Sequence, residues 1–264
     1  MSEAKQTARF RNKVVLISGT GGRQGRVAAM AFAMEGARVL GADIASKESA
    51  ETTRMVREAG GEMISLEPLD LANPTDAEHW VETAISKWGR IDILYNNAAG
   101  VGFAPFEDAT IEHWNYTLRN ELTIGYVTTR AAWPFFVRQG NGVVLSVASI
   151  AGHLELSGFP GVAHGVANAG IQAMARMFAA AGAPHGIRSV SLSPGLVKFD
   201  APASYKSPFR QGSEPLWRAA AMGRPGEIME IVNTAMFLVS DAASYITGTD
   251  VAVDGGMSGI IWHR

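Results

Sequence analysis

His164 and Asn168 stand four residues apart in the run "AHGVANAG" (163–170). Helical spacing of four puts both side chains on one face, so an imidazole and an amide emerge together from a stretch of small apolar residues. An imidazole has a reference pKa of about 6.5 and exchanges protons near neutrality without a helper charge. The pair is either the acid/base of a site or a satisfied helix histidine beside a polar neighbour. A second constellation lies near the start, where "SGTGGRQGR" (18–26) follows an apolar run and opens a helix. Glycines there allow a tight turn and close backbone approach, and a helix N-terminus offers unpaired N–H groups to a phosphate. Asp43 ends the next strand, at about the spacing where a carboxylate accepts from a ribose diol. The competing reading is glycines that only pack helix on sheet and an Asp43 that caps the following helix. An acid at 43 repels a 2′-phosphate, which favours NAD(H) over NADP(H).

The elements that must hold these residues are legible as short apolar runs alternating with helical patterns. Strands are expected at 14–18, 38–43, 63–70, 91–98, 142–149, 187–195 and 249–256. Helices are expected from Gly25 to Met34, through 76–89, from Ile111 to Arg138 and over 162–182, with a polar helix after the second strand. Such alternation predicts an α/β fold: a single-domain, Rossmann-type, doubly wound parallel sheet of about seven strands with helices on both faces. The ligand crevice then lies beyond the carboxyl ends of the strands. Residues 1–12 are read as a loose tail and 13–264 as one domain. The longest irregular stretch, 196–213, is expected to be a substrate loop.

Composition narrows the function classes. The chain has 264 residues and a formal net charge of -2, so a nucleic-acid footprint is not expected. Without any cysteine, thiol chemistry and disulfides are excluded. No apolar run reaches membrane-spanning length, and the polar start lacks an apolar core of the secretory type, so a cytoplasmic protein is expected. His79, His113, His153, His185 and His263 show no metal-ligand spacing, and His153 falls close enough to Ser149 to border a substrate. Ser146, Ser191 and Ser193 read as structural. Phe103, Phe199, Tyr205 and Trp217 fall on loops above the expected crevice and suggest a sizeable apolar small-molecule substrate.

Taken in order, the motifs resemble the short-chain dehydrogenase/reductase family over nearly the whole chain. "LDL" (69–71) resembles its adenine-contact motif, "NNAAG" (96–100) the motif after the fourth strand, and "SVAS" (146–149) the end of the fifth. "SPGLV" (193–197) resembles the turn covering the nicotinamide, and "YITGTDVAVDGGM" (245–257) the C-terminal strand. The resemblance implies cofactor contacts from Gly19, Gly22, Arg23, Gln24, Gly25, Asp43, Ile44, Asp70, Leu71, Asn97, Ala98, Ala99, Asn168, Pro194, Gly195 and Val197. It implies a catalytic set of Ser149, His164, Asn168 and Asn120, with Asn120 holding a water in the proton relay. It also implies a homodimer or homotetramer through the helices at 111–138 and 162–182.

Three departures stand inside that resemblance. Arg23 replaces the middle glycine of the turn, and either clamps a phosphate or crowds it. His164 and Asn168 replace the tyrosine and lysine of the YxxxK pair. A phenol needs a nearby cation to act at neutral pH, whereas an imidazole does not, and a lysine beside it would oppose its protonation. Neutral Asn168 removes that repulsion and can still bond a ribose hydroxyl. Two functions follow: an NAD(H)-dependent oxidoreductase on an alcohol or ketone, with His164 as acid/base and Ser149 orienting the substrate oxygen, or a relative that has abandoned hydride transfer for non-redox acid/base chemistry or cofactor binding alone.

Overall fold

Strand-length runs of Val, Ile and Leu without polar alternation belong inside a sheet covered on both faces. A computed structural model describes residues 8–155, 160–198 and 216–260. Among these residues it forms a seven-stranded sheet in the order β3-β2-β1-β4-β5-β6-β7, with every neighbouring pair parallel. The strands are β1 (Val14–Ser18), β2 (Arg38–Ala42), β3 (Glu62–Leu66), β4 (Ile93–Asn96), β5 (Gly142–Val147), β6 (Ile187–Pro194) and β7 (Asp250–Val253). Helices α1 (Arg23–Met34), α2 (Ser46–Glu58), α3 (Pro74–Trp88), α4 (Ile111–Thr117), α5 (Ile124–Gln139), α6 (Val162–Gly182) and α7 (Ile228–Val239) connect them. The order reverses between β1 and β4, which opens the crevice where ligands bind in such sheets.

Two apolar layers hold the sheet. Phe32 of α1 and Val232 and Met236 of α7 pack on one face, and Trp80 of α3 and Phe136 of α5 on the other. Local chemistry sets the helix ends: Asn73 accepts from the Thr75 N–H at 2.9 Å ahead of Pro74, and α3 stops at Gly89 with φ of 74°.

Four expectations are corrected. Residues 8–12 are not a loose tail: Phe10 is 1% exposed and stacks edge-on against Phe32 at 4.8 Å, and Arg9 pairs with Glu35 at 2.6 Å. Burial of the ring acts together with the Arg9–Glu35 pair and the Phe10 N–H bond to the Glu35 carbonyl at 3.0 Å to offset the ordering of the segment. Helix α1 begins at Arg23, two residues before Gly25. The helix expected over 111–138 is interrupted by a π-helical turn, Leu118–Thr123, between α4 and α5. Helix α7 is an addition to the expected elements; in its run "IMEIVNTAMFLV" nine of twelve residues are apolar, and the polar side is only Glu230, Asn233 and Thr234. Of the expected substrate loop, 199–213 lies outside the described residues, as do Phe199, Tyr205, His263 and residues 1–7.

Candidate active site

A cavity of about 850 Å³ opens at the carboxyl ends of β1, β4 and β5. That volume suits a ligand of dinucleotide size. Its wall brings together almost every residue singled out from the sequence: Gly19, Gly22, Arg23, Gln24 and Gly25 of the turn, Asp43 and Ile44 after β2, and Asp70 and Leu71 after β3. Asn97, Ala98 and Ala99, then Asn120, Ser149, His164, Asn168, Pro194 and Gly195 complete it. Val197 stands apart from this wall, because its backbone is drawn into an isolated parallel bridge with Gly226.

The turn is packed too tightly for side chains. Gly19 has φ of 76°, and a Cβ on Gly25 would lie 2.0 Å from the Gly19 carbonyl oxygen. Neither position tolerates an L side chain without moving the turn. Helix α1 therefore begins with its first N–H groups at the cavity and no acid in its first turn. Gln24 donates to Asn97 Oδ1 at 3.0 Å, and Asn97 donates to the Ser18 carbonyl at 3.0 Å, which joins the ends of β1 and β4. Asp43 accepts from the Gly21 N–H at 2.7 Å and the Ala45 N–H at 2.8 Å. It thus holds the chain just ahead of α2 without capping that helix, which has no side-chain cap, while lining the cavity. A glycine cradle, a helix N-terminus and an acceptor-only carboxylate in one wall fit the pyrophosphate and ribose of a dinucleotide.

At the other end, α6 presents His164, Asn168 and Gln172 at successive spacings of four. His164 Nδ1 lies 2.9 Å and 3.0 Å from the two carboxylate oxygens of Glu121, in the π-helical turn. Glu121 is 6% exposed and Asn168 is 3% exposed. Asn168 donates to the His164 carbonyl at 2.8 Å and to Glu121 Oε2 at 3.3 Å. Phe103 stands edge-on to the His164 ring at 5.8 Å. Ser149 Oγ accepts from the Ala151 N–H at 3.1 Å, which leaves its own proton available to a ligand.

Asn120 does not reach this group through its side chain. It donates to the Tyr116 carbonyl at 2.9 Å and accepts from Arg119 at 3.1 Å. His153 is turned to Asp250, at 2.7 Å from Oδ2. Ser191 and Ser193 donate to Asp250 Oδ1 at 2.6 Å and 2.9 Å, and Gln172 donates to Ser193 Oγ and to the Ser149 carbonyl. Burial pushes the Tyr95 phenol up, so it stays neutral behind the cavity. Glu121, Tyr116 and Arg119 are cavity residues absent from the sequence reading. Glu121 follows Arg119 and Asn120 in the sequence, and nothing in that polar run sets it apart from its neighbours.

The fold and this cavity define an oxidoreductase of the short-chain dehydrogenase/reductase family, and the chain belongs to that family. The family profile described as enoyl-(acyl carrier protein) reductase matches residues 24–258. The chain is 32% identical to the 3-oxoacyl-(acyl-carrier-protein) reductase FabG of Thermotoga maritima, over 94% of this chain and 99% of that one. It is 33% identical to the trans-4-hydroxycyclohexanecarboxylate dehydrogenase of Sinomonas cyclohexanicum, over 94% and 93%. The crystal structure of a short-chain type dehydrogenase/reductase from Mycobacterium marinum superposes with a TM-score of 0.87 at 26% identity, covering 97% and 99% of the two chains.

Proposed function

We propose that the protein is an NAD(H)-linked dehydrogenase of a secondary alcohol carried on an apolar ring or chain, with His164 as acid/base and Ser149 orienting the substrate oxygen. The observation that carries this reading is the meeting of Ser149, His164 and Asn168 in one cavity with the glycine turn and Asp43. The relative acting on a hydroxycyclohexane acid supports a ring alcohol, and the Phe103 ring beside His164 supports an apolar one.

The N–H groups opening α1 hold the pyrophosphate, and Arg23, the first residue of that helix, adds a cation beside it. Asp43 accepts from the adenosine ribose and disfavours a 2′-phosphate by charge. Asn168 keeps Oδ1 to accept from the nicotinamide ribose, since its Nδ2 is engaged by His164 and Glu121. Ser149 donates its hydroxyl proton to the substrate oxygen, and His164 removes the proton from that oxygen as the carbonyl forms. When bound, the nicotinamide supplies the hydride acceptor for the carbinol C–H bond.

Titration with NADH and NADPH, followed by nicotinamide fluorescence, tests the reading. Saturable binding with NADH preferred is expected. Absence of binding at millimolar NADH would instead favour a relative that has left hydride transfer.

A further inference from the structure

We infer that Glu121 is the positioning residue of this site: it fixes the proton of His164 on Nδ1, keeps Nε2 as the base, and balances the imidazolium that forms. The inference rests on the reading of His164 as acid/base. It assigns to an anion the helper role that a lysine plays beside the tyrosine in the pattern this chain has lost.

Proton counting carries it. A neutral imidazole bears one N–H, and a carboxylate only accepts. Both oxygens of Glu121 face Nδ1 at 2.9 Å and 3.0 Å. If Nδ1 carried a lone pair, like partial charges would meet inside a site shielded from water. With Glu121 as a carboxylate, the hydrogen belongs on Nδ1. Asn168 Nδ2 also lies 3.0 Å from Nδ1, but both are then donors, and no bond joins them. The amide hydrogens go instead to the His164 carbonyl at 2.8 Å and to Glu121 Oε2 at 3.3 Å. Turning the amide over would set its oxygen against that carbonyl and the carboxylate together, so the same count fixes its orientation.

The arrangement has a direction. Before transfer, Glu121 is a buried anion held by two neutral donors. When Nε2 takes the substrate hydroxyl proton, the ring becomes cationic against a carboxylate in a low-dielectric surrounding, where such a pair is stronger than in water. The O–H bond breaks toward Nε2, the C–H electron pair leaves to an oxidised nicotinamide, and the C=O bond forms between them. Glu121 keeps its charge throughout. A phenol served by a lysine ends as an anion beside a cation; here the signs are exchanged and the pairing is kept.

Long-range nitrogen–proton NMR on protein labelled with 15N-histidine, at a pH where the ring is neutral, reads the arrangement without any substrate. His164 is expected with a protonated Nδ1 and an imine-type Nε2. A protonated Nε2 in the wild type would overturn the inference. Glu121→Gln is expected to keep NADH affinity and substrate KM while turnover on cyclohexanol with NAD falls by about 10²–10⁴-fold. Glu121→Asp should recover part of that loss. Wild-type turnover in Glu121→Gln would equally overturn the role. Failure of the wild type to bind NADH would sink the dehydrogenase reading and with it this role, whereas a protonated Nε2 in an NADH-binding protein would sink only the role.

Discussion

Arg119, in the π-helical turn, reaches Asp70 after β3 with its guanidinium 2.6 Å from Oδ2. The pair ties the expected adenine end of the cavity to the turn that carries Glu121. The Arg119 hydrogen bond holds the Asp70 carboxyl below the usual carboxylate range, against a smaller opposing effect of burial. A folded-state pKa below the unfolded one contributes stability above the unfolded value, and that contribution disappears as pH falls through the folded value. Both side chains are close to half exposed, so the effect is small at physiological salt. Arg119→Ala should move Asp70 up toward the ordinary carboxylate range, read by carboxyl NMR. Urea midpoints of wild type and variant should differ at neutral pH and converge in acid. A gap that persists unchanged in acid would assign the stability loss to packing.

Asp43 holds two backbone N–H groups and still has lone pairs for a ribose. Asp43→Asn keeps the shape and removes the charge. NADH affinity should fall by roughly 1.5–3 kcal/mol, the size of a charge-assisted hydrogen bond, with a smaller loss for NADPH. Equal losses would show that the residue only shapes the turn.

Asp250 gathers hydrogen bonds from Ser191, Ser193 and His153 at the carboxyl end of β6, and Ser193 passes the order on to Gln172. Ser191 and Ser193 are fully buried. Asp250→Ala leaves both hydroxyls without their acceptor, at about 1–3 kcal/mol for each unsatisfied group. Urea unfolding should show a loss of that size. An unchanged midpoint would mean the serines find other partners.

Tyr126 on α5 and Val166 and Met177 on α6 are among the exposed apolar side chains. Val166 and Met177 are about three helical turns apart and so share a face. We propose that this face meets a second copy of the chain. Sedimentation should give a dimer or tetramer for the wild type and smaller species for the Val166→Glu, Met177→Glu double variant. A monomeric wild type would refute the interface.

Much of this could be read from the chain because the parallel strands are continuous apolar runs and the glycine turn announces itself by composition. What escaped did so for physical reasons. Glu121 lies 43 residues from His164 and sits in a π-helical turn, where the wider winding shifts side chains off the 3.6-residue spacing. Asn120, one residue earlier, matched a motif, yet its side chain is held by Tyr116 and Arg119. Phe10 belongs to a polar-looking segment and enters the core on its own. Helix α7 has a narrow polar side, only Glu230, Asn233 and Thr234 in twelve residues, with Met229 and Phe237 exposed beside it.

His164→Ala tests the central claim most directly, with turnover on cyclohexanol and NAD measured beside NADH affinity. The account predicts a loss of about 10²–10⁴-fold in turnover, the usual size of a general acid/base contribution, with the NADH dissociation constant nearly unchanged. A His164→Ala protein that turns over at the wild-type rate would contradict it.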